Sequence, residues 1–290
     1  MTEKAEAICH GAATIINAIA MGKGAAFGVD LWTKAEVKLT DELGVIEGEI
    51  VSDPSENTIL IEKTVRKVLE YFGIKEKFGA KVKTWSNIPV ARGLKSSSVA
   101  ANAIVLATVA ALDKKLDDLT IVNLGVDGAI DAKVTITGAF DDACASYFGD
   151  VVITDNEKRR IVKRFKISED LAILFYIPTE KAYTISSDVQ RMKTVASLVK
   201  IVYEEALKGK FWSALTLNGL IYSSALGYNS SIALDALMTG ALAAGLSGKG
   251  PSVTAVVPAE KVDSVKDAWQ AYEGEILQAR VNHEKARVVS

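Results

Sequence analysis

The segment that most constrains this chain is Ile88-Pro-Val-Ala-Arg-Gly-Leu-Lys-Ser-Ser-Ser-Val-Ala-Ala-Asn-Ala, residues 88–103. A strand ends at Pro89, a turn containing Gly93 follows, and three serines lead into an apolar helix expected over about Ser97–Leu112. The first N–H groups of such a helix have no partner inside it. The positive end of its dipole points the same way, so the turn is suited to hold an anion. Gly93 lets the backbone come close, while Ser96, Ser97 and Ser98 suit either helix capping or binding of phosphate and metal. A well-capped core helix is the competing reading, and one or two hydroxyls would satisfy it. The segment alone leaves the two level.

The rest of the composition narrows the class. With 290 residues, 49% of them hydrophobic and 24% charged, the chain is long enough for one large domain or two modest ones. Lys and Arg number 34 against 36 Asp and Glu, a net charge of -2. No uniform positive field exists to bind nucleic acid or a membrane surface, so neither is expected as a partner and any basic site is local. Cys9 and Cys144 cannot make a disulfide framework or a four-cysteine zinc site. His10 and His283 are too few for a three-histidine metal centre; the first suits a structural role and the second a charged surface. Metalloprotease and serine-hydrolase chemistry is thereby disfavoured. The start shows no signal-peptide pattern, and no apolar run reaches the roughly 18–20 residues that span a bilayer. A cytoplasmic protein is expected.

Strands and helices interleave along the chain. Alternation predicts strands at Ala5–Cys9, Trp32–Leu39, Val45–Val51 and Ala80–Trp85, and helical periodicity places Ile61, Val65, Val68, Leu69 and Phe72 on one face of Asn57–Phe72. Another helix is expected over Asp118–Ile130 and a strand over Val151–Thr154. The charged turn Asp155–Lys158 suggests a join between domains 1–154 and 155–290. Beyond it come a strand at Leu171–Ile177 and helices at Lys193–Leu207, Phe211–Leu220 and Ile232–Ala244. Strand Val253–Val257, helix Ala259–Tyr272 and strand Ile276–Val281 complete the pattern. The class is α+β (mixed α/β), with two lobes.

Two further glycine clusters stand out: Gly22-Lys-Gly-Ala-Ala-Phe-Gly28, and Gly245-Leu-Ser-Gly-Lys-Gly-Pro-Ser252 with Gly248, Lys249 and Gly250 at its centre. Neither completes a Walker A or dinucleotide fingerprint. Three glycine loops, the two further ones with Lys23 and Lys249, still favour a nucleotide site. Thr135-Ile-Thr-Gly-Ala-Phe-Asp-Asp-Ala-Cys-Ala-Ser places Asp141 and Asp142 side by side after a glycine turn. Adjacent carboxylates in a tight setting repel, which suits one to act as a base or both to bind magnesium. A helix start with a spare acid is the plainer alternative.

Taken in order, these segments resemble the GHMP kinases. Pro89-Val-Ala-Arg-Gly-Leu-Lys-Ser-Ser-Ser-Val-Ala-Ala is similar to the superfamily's Pro-x3-Gly-Leu-Gly-Ser-Ser-Ala-Ala loop, and Ser247-Gly-Lys-Gly-Pro-Ser-Val resembles its third, glycine-rich motif. Within the superfamily, Gly11–Gly28, Thr135–Ser146 and Ser247–Ser252 look most like the archaeal-type shikimate kinases. The resemblance spans about residues 7–257. It implies a ribosomal protein S5-like N-terminal lobe, a ferredoxin-like C-terminal lobe and a site in the cleft between them. It further implies ATP and Mg2+, with shikimate as acceptor. A homoserine or mevalonate-branch kinase, or a silent nucleotide-binding module, remains the alternative.

Site roles follow from the same resemblance. Asp141 takes the catalytic role. Pro89, Arg92, Gly93, Leu94, Lys95, Ser96, Ser97, Ser98, Gly248, Lys249 and Gly250 fall to the nucleotide. Ser97 and Asp127 fall to the metal, with Asp131, four residues on, as the other choice. Lys23, Asp142 and Arg191 fall to the acceptor, whose carboxylate needs a cation; Arg92 is a further candidate. Two departures stand out: Lys95 replaces the middle glycine of Gly-Leu-Gly-Ser-Ser, and no basic residue stands near Ala13 and Thr14, where many members carry one. Lys23 is a candidate to fill that second gap. A homodimer is one assembly compatible with this reading.

Overall fold

Small and branched apolar residues alternate with polar ones along the first half of β1 (Lys4–Ile16) and the outer half of β2 (Lys23–Thr40), burying Ala5, Ala7, Cys9, Ala35, Val37 and Leu39 on one face. The computed structural model, which describes residues 4–89, 93–179 and 188–290, pairs these strands antiparallel. Next, β3 (Ile46–Ile50), α1 (Ile59–Tyr71) and β4 (Gly79–Ser86) form a crossover unit with parallel strands. The α1 face carrying Ile61, Val65, Val68 and Leu69 is buried, as its periodicity predicts.

α2 (Ser96–Ala111) is apolar on every side, so it can be stable only when surrounded. It lies against β1, β2, α1, α3 (Asp118–Asp131) and α4 (Phe140–Phe148). β5 (Val151–Asp155) then pairs with the start of β2, and β6 (Arg160–Phe165) pairs with β5. The charged turn at 155–158 is therefore a hairpin bend within the first sheet, and the chain passes to the second sheet between Phe165 and Leu171. A hairpin tip and a linker are both polar and solvated, which is why composition does not separate them.

The second sheet is built from β7 (Leu171–Pro178), β8 (Ala243–Leu246), β9 (Val253–Pro258) and β10 (Gly274–Arg280) in the order β10-β7-β9-β8, all antiparallel. Between β7 and β8 run α5 (Val189–Lys193), α6 (Ala196–Leu207), α7 (Phe211–Leu226) and α8 (Ser231–Met238); α9 (Val262–Trp269) joins β9 to β10. This is a ferredoxin-like arrangement with extra helices. The helix expected to reach Ala244 stops at Met238, because the chain turns through Gly240 at φ +112° and Ala243–Leu246 become strand. The segment expected as one helix at 193–207 is divided into α5 and α6.

The lobes are tied by buried hydrogen bonds at the end of β1. Asn17 N–H donates to Asn218 Oδ1 on α7 (3.1 Å), and Tyr222 OH donates to the Asn17 carbonyl (3.1 Å). β11 (Arg287–Val288) returns to pair with β1. Among the described residues no helix is long and apolar enough to cross a membrane.

Candidate active site

Two helix starts face one cavity. α2 begins after Gly93 (φ +82°) and Lys95 (φ +65°), and α4 after Gly138 (φ +83°) and Ala139 (φ +47°). Left-handed residues ahead of a helix turn successive N–H groups toward one side, making an anion-binding concavity. Such a conformation is costly for Lys95 and Ala139, on the order of 1 kcal/mol or more each, so the surrounding structure must impose it. Neither N-cap residue, Lys95 or Ala139, makes a side-chain capping hydrogen bond. The hydroxyl-bearing residues Ser96, Ser97 and Ser98 line a cavity of about 140 Å3 together with Thr14, Leu94, Lys95, Asp141, Asp142 and Lys249.

The carboxylates at its floor are buried: Asp141 is 3% and Asp142 5% exposed. Burial, reinforced by the Asp142 charge, pushes the Asp141 carboxyl up to about 7. Asn156 opposes the shift by donating from Nδ2 to Asp141 Oδ1 at 2.8 Å. Asp142 is also raised by burial, against the pull of Lys95, whose Nζ lies 3.2 Å from Asp142 Oδ2. Burial, with Lys95 beside it, brings the Lys249 ammonium down to about 8. Two buried polar atoms at this site have no partner among the described residues, Thr14 Oγ1 and Asp142 Oδ1.

Close approach explains the glycines. A Cβ on Gly24 would collide with Oδ2 of Asp141, and a Cβ on Gly248 with Nζ of Lys95. Gly93 lies against the Gly250 carbonyl, and its own carbonyl accepts from Ser247 Oγ at 3.0 Å. The three glycine clusters, distant in sequence, thus meet around one pair of carboxylates.

Not every expected residue reaches the cavity. Gly93, Leu94, Lys95, Ser96, Ser97, Ser98, Asp141, Asp142 and Lys249 line it. Pro89, Gly248 and Gly250 do not line it, and Arg92 lies outside the described residues. Lys23 opens β2 with its Nζ 5.9 Å from the centre of the Tyr203 ring, and Arg191 is exposed on α5; neither lines the cavity. Asp127 is also elsewhere, its Oδ1 2.6 Å from Arg159 Nη2, while Asp131 pairs with Lys67 at 2.7 Å. The four-residue spacing does put both on one face of α3, but that face meets Arg159 and Lys67 rather than the cavity. Among the described residues no cluster of three or more His, Cys, Asp or Glu suits a metal ion. Ser97 is one of the hard oxygen donors that line the cavity; Mg2+ commonly takes one or two protein ligands and completes its shell with phosphates and water.

Sequence reasoning missed Asn156 and Thr154. Thr154 lies near the end of β5 and Asn156 at the bend that follows it, and the charged sequence of that bend carries no sign that it folds against Asp141.

Residues 60–150 match the family model described as the GHMP kinases N terminal domain. The chain is 45% identical to "Shikimate kinase" of Methanosarcina mazei and 46% identical to that of Methanosarcina acetivorans, each alignment covering 99% of this chain and 97% of the relative. Among solved structures, homoserine kinase from Cytophaga hutchinsonii superposes with a TM-score of 0.76 at 18% identity, covering 100% of this chain and 98% of that one. This last likeness concerns the fold.

Proposed function

Because the chain belongs to the GHMP kinase family and is similar along nearly its whole length to archaeal shikimate kinases, we propose that it phosphorylates shikimate with ATP. The observation that carries the chemistry is a buried carboxylate, Asp141, on the wall of a cavity at which two helix starts converge. Phosphoryl transfer demands positioning and charge neutralisation more than covalent help from the protein. The α2 start and the Ser96–Ser98 hydroxyls hold the nucleotide phosphates, and Lys249 adds positive charge. Mg2+, when bound through Ser97 and the phosphates, would neutralise charge on the transferred group.

Asp141 orients the acceptor hydroxyl and takes its proton while that oxygen bonds to the γ-phosphorus. The bond from phosphorus to the bridging oxygen breaks, and ADP leaves with the electron pair. Asp142 Oδ1 and Thr14 Oγ1 are suited to a polyhydroxylated acceptor: the carboxylate accepts from a substrate hydroxyl, and the threonine donates or accepts. An ADP-release assay with shikimate, homoserine and mevalonate in parallel tests the reading. Turnover with shikimate at least a hundredfold above the other two is expected; a preference for either other acceptor overturns it.

A further inference from the structure

Among the described residues, one side chain makes a hydrogen bond to the Asp141 carboxylate, and the Asp142 backbone assists it. Asn156 Nδ2 donates to its Oδ1 at 2.8 Å, and Thr154 Oγ1 stands 2.6 Å from Asn156 Oδ1. All three residues are buried. The backbone fixes the relay: Asn156 N–H donates to the Gly22 carbonyl at 2.8 Å, and Tyr203 OH donates to the Thr154 carbonyl at 3.3 Å. The glycine loop at 22–24 therefore does two things. Gly24 leaves room for Oδ2 of Asp141, and Gly22 anchors the bend that carries Asn156.

Chemistry sets the direction of the relay. A carboxylate can only accept, so an ionised Asp141 tolerates the amide N–H2 and repels the amide oxygen. With the amide turned that way, its oxygen needs a donor, and the Thr154 hydroxyl supplies it. Asn156 Nδ2 takes one of the two acceptor positions of Oδ1, whereas no side chain among the described residues bonds to Oδ2, so Oδ2 is the oxygen more open to proton transfer.

We propose that Asn156, held in orientation by Thr154, is a positioning residue for Asp141, fixing Oδ1 so that the acceptor proton is delivered to Oδ2. The inference rests on Asp141 being the base. Other ionisable or charged groups facing Asp141 are Asp142 beside it, Lys95 ahead of α2, Cys144 one turn along α4, Tyr222 of α7 and Lys249 across the cavity. Of these, Lys95 favours the ionised form and the Asp142 charge opposes it, and no side chain among them makes a hydrogen bond to Oδ1.

Asn156→Leu keeps the shape and removes the donor, and Thr154→Val removes the hydroxyl that orients the amide. Each is to be compared with the parent enzyme for kcat, KM and the pH profile, with the Asp141 carboxyl followed by 13C NMR of aspartate-labelled protein. Losing a hydrogen bond to the charged form moves the acid limb and the 13C midpoint upward by about one pH unit in Asn156→Leu. Its kcat is expected to fall about tenfold at pH 6 yet to come within about threefold of the parent at pH 9, with KM for ATP unchanged. Thr154→Val moves the midpoint in the same direction by less, and it carries the test if Asn156→Leu fails to fold. A uniform loss across pH with an unmoved 13C midpoint, or an unchanged enzyme, overturns the proposal. Asp141→Asn separates the two ideas. Wild-type turnover in that variant overturns the base assignment itself, whereas an inactive Asp141→Asn beside unaltered Asn156 and Thr154 variants overturns only the positioning role.

Discussion

Lys95 Nζ lies 3.2 Å from Asp142 Oδ2, and it does so from a left-handed residue at a position where the family loop carries glycine. Gly248, lacking a side chain, leaves space for the ammonium. The pair is well shielded, with side-chain exposures of 16% and 6%. Lys95 thus does not displace the anion site; its charge is turned toward the adjacent carboxylate.

Removing one partner of a buried pair leaves the other uncompensated, so Lys95→Met is expected to cost about 3 kcal/mol of stability. Lys95→Met combined with Asp142→Asn should recover most of that, since no isolated charge remains. Urea unfolding of the three variants decides it: a single-variant cost below about 1 kcal/mol would show that the ion pair contributes little.

Asp141→Asn removes the charge and keeps the shape. kcat should fall by about 10²–10⁴-fold with ATP affinity nearly intact. The same variant should gain stability at pH 8. Burial raises the folded carboxyl to about 7, so the folded state binds the proton more tightly than the unfolded chain. The stability this supplies is complete below the unfolded value, about 3.9, and is lost as pH rises through about 7. A higher Tm than the parent at pH 8, shrinking toward pH 4, is the expected result.

Gly24→Ala would place a methyl against Oδ2 of Asp141. Displacing a reacting group by about 1 Å can cost on the order of 10²-fold in rate, so kcat should drop by about that factor while ATP affinity stays close to normal. Equal losses in kcat and ATP affinity would point instead to general disruption of β2.

Ser97→Ala should lower turnover and raise the Mg2+ concentration needed for half-maximal rate. Asp127→Asn should leave that concentration unchanged, because Asp127 is held by Arg159. Its cost should be confined to about 0.5 kcal/mol of stability, the partly exposed pair being screened by solvent. Magnesium titrations at fixed ATP distinguish the two, and a shifted requirement in Asp127→Asn alone would reverse the assignment.

Lys249 loses its proton near pH 8, since burial and Lys95 both disfavour its charge. Affinity of the free enzyme for ATP should therefore weaken as pH rises from about 7 to 9. Lys249→Met should bind more weakly throughout and lack that pH dependence, as calorimetric titration would show.

Much of the site was legible before folding was considered. The largely apolar run after Ser98 reads as a buried helix, and the glycine turn ahead of it suits an anion site as well as it suits a simple helix cap. Asp141 and Asp142 stood out because two acids follow a glycine in a small-residue setting. Asp127 shows the limit. Its spacing from Asp131 correctly places both on one face of α3, yet nothing local says which neighbour that face meets.

The linear sequence by itself determined what is periodic or contiguous: the first half of β1, the outer half of β2, strand β4, the buried face of α1, the largely apolar character of α2, and the order of three glycine clusters. Those follow from backbone geometry over a few residues. Tertiary structure alone decided that β5 and β6 complete the first sheet, that Ala243–Leu246 form strand rather than helix, and that Lys95 pairs with Asp142. It also decided that Asn156, 15 residues beyond Asp141, bonds to that carboxylate. These outcomes depend on which distant surfaces exclude water from one another. That choice is settled by packing and desolvation across the whole fold, and no local pattern encodes it.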